Sequence, residues 1–204
     1  MIKLNAKELR DVDEKDISEK LKNIKRRPVY FILENIYDTY NIGGLFRLAD
    51  ALAIEKMYIC GESEIPPNSK IKKASIGTYK VVPWEYRKTA KEAIDDLKSK
   101  IQMTNDKLGA KTSAVKNPTF RQAETAEVKI IAVEQNKNSI PYTKAEYSLP
   151  LALVFGNETY GVTPETLKLA DQIIEIPMWG INKSLNVIVS AAIVSYWIVG
   201  KKYV

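Results

Sequence analysis

The chain has 204 residues, 45% apolar and 27% charged, which suits one domain with a core of its own and excludes wholesale disorder. It contains no histidine, which removes the usual general base, any Ser-His-Asp or Cys-His arrangement and nearly every zinc catalytic site. The net charge of +6 leans toward a polyanionic partner, and Cys60, the one cysteine, excludes an intrachain disulfide and points to a reducing, cytoplasmic setting.

Residues 6–27 are dense in charge, with Ile17, Leu21 and Ile24 at helical spacing, so an amphipathic helix is expected. Its basic end, which includes Lys25, Arg26 and Arg27, reads either as a solvated helix C-terminus or as a patch that contacts phosphates. Residues 28–35 form a near-continuous apolar run, expected as a buried parallel strand. A polar loop at 38–41, a helix over 42–53 and a strand over 56–60 complete a β-α-β unit with a right-handed crossover.

A proline-containing loop follows at 61–68. Lys70, Lys72 and Lys73 then cluster in a short helical or irregular stretch. A third strand is expected at 79–86 and an amphipathic helix at 89–100. Residues 103–127 are polar, hold Gly109 and Pro118, and read as a long loop or insertion. A strand at 128–134, a turn-rich connector at 139–148, a strand at 151–155, a helix at 164–170, a strand at 172–176 and a last helix opening at Ser184 complete the chain. The apolar part of that helix, 185–199, is too short for a membrane span and holds Asn186, Ser190 and Ser195. The N-terminus carries no signal-like apolar core. The alternation predicts a three-layer α/β fold with a parallel sheet, organised as an N-terminal helical extension (1–27) and one domain (28–204).

Three constellations carry chemistry. The first is Asn41-Ile42-Gly43-Gly44-Leu45-Phe46-Arg47, which reads as a capped helix with a surface arginine or as a helix start open to a backbone or phosphate. The second is Gly156-Asn157-Glu158 with Gly161, either a turn or a ligand-orienting strand end. The third is Ile176-Pro177-Met178-Trp179-Gly180 followed by Ser184-Leu185-Asn186-Val187. There Ser184 suits a helix cap, while Asn186 is an amide that needs partners.

Together, in this order and spacing, the three resemble the motif set of the SpoU (TrmH-type) RNA ribose 2′-O-methyltransferases of the SPOUT superfamily. The resemblance runs from about residue 28 to residue 199. It implies a three-layer α/β fold with a C-terminal deep trefoil knot, a homodimer, and S-adenosylmethionine as cofactor with no metal. By matched motif the cofactor contacts are Gly156, Ile176 and Leu185, with Val133, Glu134, Met178 and Val187 beside them. The resemblance further implies that Arg47 is essential at the ribose 2′-hydroxyl, that Asn41, Ser184 and Asn186 position the reacting groups, and that Glu158 orders the loop or places substrate. The RNA is a tRNA or an rRNA, with tRNA favoured.

By charge, Lys25, Arg26, Arg27, Lys72 and Lys73 are candidate RNA contacts, as are Lys201 and Lys202. The segment before residue 28 is too short for the small RNA-binding domain that many relatives carry. A knotted RNA-binding or assembly protein without catalysis is the alternative from a different class. A phosphate-loop enzyme lacks its signature here.

Overall fold

The computed structural model describes residues 3–12, 17, 21, 24–112 and 127–200. Among the described residues the strands form one sheet in the order β3-β2-β1-β6-β4-β7-β5. Every pair within it is parallel. The strands are β1 (Arg27–Glu34), β2 (Ile54–Cys60), β3 (Trp84–Arg87), β4 (Lys129–Val133), β5 (Ile140–Pro141), β6 (Leu151–Phe155) and β7 (Gln172–Glu175). The helices are α1 (Ala6–Asp11), α2 (Thr39–Ala51), α3 (Ser69–Ser75), α4 (Ala90–Thr112), α5 (Pro164–Leu167) and α6 (Val187–Gly200). None is long and apolar enough to cross a membrane.

The central strands are apolar on both faces because both faces are covered. Successive residues of β1 and β6 feed opposite layers. Phe31, Leu33, Leu153 and Phe155 pack with Leu45, Phe46 and Ala49 of α2 and Ala191 and Val194 of α6. Ile32, Ala152 and Val154 pack with Ala93, Ile94 and Leu97 of α4 on the other side. Phe31 and Phe155 meet edge to face at 5.3 Å across the β1–β6 pair, a geometry that contributes about 0.5–1.5 kcal/mol beyond burial.

The chain before β1 is tied into this core. Asn5 and Glu8 form a reciprocal capping box at α1, and the Lys80 ammonium donates to the carbonyls of Arg10 and Val12. Leu9 and Ile17 are buried in the first core layer.

Several expected boundaries shift. The third strand is confined to Trp84–Arg87, and the residues expected to open it form a 3-10 turn at Thr78–Lys80 entered through Gly77 in a left-handed conformation (φ 95°). The helix expected at 89–100 continues to Thr112, so the first part of the expected loop at 103–127 is helical and its remainder lies outside the described residues. The connector at 139–148 contributes an edge strand, Ile140–Pro141, paired with β7. The helix expected across 6–27 is seen as Ala6–Asp11, with much of the rest, including Lys22, outside the described residues, as are Lys201 and Lys202.

Candidate functional site

The site lies at the carboxyl ends of β1, β6, β4 and β7, where loops carry backbone groups that no sheet neighbour satisfies. The loop after β6 is the most constrained of them. Asn157 and Gly161 exchange backbone hydrogen bonds at 3.0 and 2.9 Å. The Asn157 side-chain oxygen accepts from the N–H groups of Thr159 (2.8 Å) and Tyr160 (3.0 Å), while its amide donates to the Asn35 carbonyl at 2.7 Å. Gly156 packs so closely on this hairpin that a Cβ there would overlap the backbone of Gly161 and Val162. Gly161 has φ 71°, and a Cβ on it would run into the Glu134 carboxylate.

Two carboxylates anchor this loop from the strands beneath it. Glu134, just past β4, accepts from the N–H groups of Val162 and Gln135, both at 2.8 Å. Glu34, the last residue of β1, is 5% exposed and accepts three hydrogen bonds. These come from the Thr163 N–H (2.8 Å), the Thr163 hydroxyl (2.9 Å) and the Thr166 hydroxyl (2.5 Å). Glu34 was not among the residues the sequence singled out. Its signal was a lone carboxylate ending an otherwise apolar buried strand, which requires donors, and Thr163 and Thr166, three apart across a helix start, are those donors.

The third loop joins β7 to α6 and exposes Trp179 and Ile181 almost completely. Sequence spacing offered Ser184 as the cap of the last helix, but the helix begins at Val187 and the cap is Asn186. Its side-chain oxygen accepts from the Ile188 N–H at 2.9 Å and its carbonyl from the Ser190 N–H at 3.0 Å. Ser184 sits in the loop, its N–H on the Asn182 side chain at 3.3 Å.

These loops enclose a cavity of about 440 Å³. Val133, Glu134, Gly156, Ile176, Met178, Leu185 and Val187, the seven residues singled out as cofactor contacts, all line it, and so do Glu158, Ser184 and Asn186. Its walls combine apolar side chains with backbone groups, the carboxylates of Glu134, Glu158 and Glu175 and one cationic residue, Lys183. That composition fits an organic ligand that carries both an apolar body and positive charge.

A polar relay leads out of the cavity. The Asn186 amide donates to the Asn41 side-chain oxygen at 2.9 Å, and the Asn41 amide donates to Glu158 Oε1 at 2.8 Å. Glu158 also accepts from the backbone N–H groups of Tyr37 and Asp38, both at 3.2 Å. Burial works against its charge, but the Asn41 amide and the backbone donors of Glu158, Tyr37 and Asp38 outweigh it and hold the carboxyl below its usual range. All three constellations therefore meet in one hydrogen-bonded unit.

Arg47 lies outside the cavity lining. Its side chain is exposed, with no hydrogen bond or ion pair among the described residues. Gly44, one helical turn earlier, packs so tightly against Ile188 that a Cβ would collide with it, so this stretch of α2 runs against the start of α6.

The basic residues divide. The guanidinium of Arg26 donates to the carbonyls of Ile54 (3.1 Å) and Val81 (2.6 Å), and that of Arg27 to the Leu52 carbonyl at 2.9 Å. Both close off backbone acceptors around β2. Arg26 and Arg27, put forward as RNA contacts, are thus half-buried and spend these donors on the protein. Lys25, Lys72 and Lys73 are exposed.

Comparison with known proteins follows the same outline. A sequence model of the SpoU rRNA Methylase family matches residues 28–196. A tRNA (guanosine(18)-2′-O)-methyltransferase of Aquifex aeolicus (strain VF5) is 43% identical over 67 residues, 33% of this chain and 32% of that protein. The protein of the same name from Escherichia coli (strain K12) is 25% identical over 167 residues, 80% of this chain; the match spans only 59% of the relative's length. Among solved structures, the SpoU methyltransferase AviRb from Streptomyces viridochromogenes, in complex with the cofactor AdoMet, superposes with a TM-score of 0.69 at 19% identity, over 91% of this chain and 64% of that one.

Proposed function

The chain belongs to the SpoU rRNA Methylase family, and from that premise we propose that it transfers a methyl group from S-adenosylmethionine to a ribose 2′-hydroxyl of structured RNA. The observation that supports this most is the cavity at the strand ends, joined by the Asn186–Asn41–Glu158 relay to the helix that carries Arg47.

The lining fits the proposed cofactor. Val133, Ile176, Met178 and Leu185 offer an apolar bed, and Glu134 and Glu175 place negative charge where a cationic ligand would sit. The close-packed Gly156 lets the backbone itself form a wall. When bound, the sulfonium supplies the reactive methyl group, so no metal is needed for the transfer.

Arg47 holds the ribose hydroxyl. A guanidinium stays protonated and is a poor base. It binds the 2′-hydroxyl and a flanking substrate phosphate together, so that phosphate can accept the departing proton. Asn41, Ser184 and Asn186 fix the ribose and the arginine relative to the cavity, and Glu158 keeps the relay in register.

tRNA is favoured as substrate because the Escherichia coli and Aquifex aeolicus relatives carry tRNA methyltransferase names. Lys25, Lys72 and Lys73, which are exposed, are the residues we propose to meet its backbone. The working form is a homodimer with a C-terminal trefoil knot, acting in the cytoplasm. Support for the dimer is the apolar surface left open on α6 and the loop before it, where Val189 and Tyr196 are 45% and 55% exposed and Leu185 37%.

The test is a map of ribose methylation in total RNA from cells with and without the gene, paired with calorimetry of the purified protein and S-adenosylmethionine. One or a few 2′-O-methyl marks vanish on deletion, and the donor binds. A protein that binds RNA but no donor, with every mark retained, would instead be a non-catalytic assembly factor.

A further inference from the structure

Two tyrosines beside the relay have no part in the chemistry described so far. Tyr37 and Tyr40 are 49% and 54% exposed. Yet they stand on firmly held backbone: the Tyr37 N–H donates to Glu158 at 3.2 Å and the Tyr40 N–H to the helix-capping Asp38 at 2.8 Å. The Tyr37 phenol donates to Glu62 at 2.9 Å, which holds the tip of a ring that is half exposed. Tyr160, on the loop after β6, is 83% exposed.

A second cavity, about 390 Å³, opens here. It is lined by residues 37–40 together with Glu64, Asn68, Ser69 and Lys70, and the Asn68 side-chain oxygen is spent on capping α3. It shares no lining residue with the larger cavity, but the two adjoin at Glu158, which lines the first and holds the backbone of the second. Two carboxylates, Asp38 and Glu64, stand against one ammonium, Lys70. That balance disfavours a bare phosphate and suits a flat, neutral ring with donors on its edge. Exposed aromatic faces held rigid are the surfaces on which unpaired nucleobases stack, and a carboxylate or an amide reads a base edge by accepting its amino protons.

We propose that Tyr37 and Tyr40 form a stacking site for an unpaired nucleobase of the RNA substrate, beside the ribose that faces the methyl-donor cavity, with the Glu64 carboxylate at the base edge. The site rests on the reading of the chain as an RNA methyltransferase and adds to it a preference for single-stranded or splayed nucleotides.

The test uses a short single-stranded RNA with one 2-aminopurine, whose fluorescence is quenched by stacking, together with calorimetry for S-adenosylmethionine. The wild-type protein quenches the probe saturably. The double variant Tyr37→Ala, Tyr40→Ala loses about tenfold in probe affinity with donor affinity unchanged, and the matching phenylalanine variant stays within about twofold of wild type. No quenching by the wild type, or equal quenching by the alanine variant, overturns the stacking site even where methyl transfer stands. Failure of the wild type to bind the donor strikes the methyltransferase reading instead, and leaves the fluorescence result to decide the site by itself.

Discussion

Asn41 and Asn186 are 145 positions apart in the chain and bonded through their side-chain amides at 2.9 Å. Each is committed on its other side as well, Asn41 to Glu158 and Asn186 to the start of the last helix. The early helix, the loop after β6 and the final helix are thereby held in one geometry, and the contact makes the following outcomes measurable.

Arg47→Ala removes the only guanidinium assigned to the ribose hydroxyl. Since that side chain is exposed and outside the cavity lining, the fold and the donor affinity stay as they are. Single-turnover methyl transfer to unmodified RNA drops by about a thousandfold or more, while calorimetry with S-adenosylmethionine is unchanged. Normal turnover would remove Arg47 from the mechanism.

The relay predicts non-additivity. Asn41→Ala and Asn186→Ala each slow methyl transfer, but the double variant is less impaired than the two effects summed, with a coupling of about 0.5–1.5 kcal/mol in the rate cycle. Strict additivity would mean that the amide contact has no bearing on turnover.

Two glycines in neighbouring loops give opposite outcomes. Gly156→Ala forces a methyl group into the backbone of Gly161 and Val162, costs about 1–3 kcal/mol in thermal or denaturant unfolding, and weakens donor binding. Gly180→Ala meets nothing within 4 Å and leaves both unchanged.

Glu158 sets a dependence on acid. Its folded carboxyl titrates below the ordinary value of 4.5, so its contribution to stability is fully present above that value and is lost as pH falls through the lowered one. Glu158→Gln is therefore less stable than wild type at neutral pH, and the gap closes as the pH drops past 4.5. Melting temperatures of the two proteins across that range decide it, and a gap that widens on acidification would contradict the sign.

Much of the fold was legible because its signals are local. The apolar runs of β1 and β6 have both faces buried, and the spacing of Leu45, Leu48, Ala49 and Leu52 gives a one-sided helix. Motif order singled out Val133, Glu134, Gly156, Ile176, Met178, Leu185 and Val187 as cofactor contacts, and all seven line the one strand-end cavity. What the sequence hid depends on partners far along the chain. Arg26 and Arg27 read as surface charge because the carbonyls they bind, Ile54, Val81 and Leu52, belong to other elements. Glu34 carried no motif, since its donors sit about 130 residues later. Ser184 is as good a capping residue as Asn186, and only the geometry of the loop chooses between them.

Strand β6 is made after β1 and β4, yet it stands between them. A growing polypeptide halted short of residue 151 therefore has the three strands β3-β2-β1 with an open apolar edge, and a β4 whose two neighbours, β6 and β7, are still to come. Closing that gap does not by itself complete the ligand cavity, whose lining also needs Glu175, Ile176, Met178 and residues 182–187. A prematurely terminated copy, with the apolar edge of β1 unpaired, is a hazard for sticking to its neighbours rather than a slower enzyme.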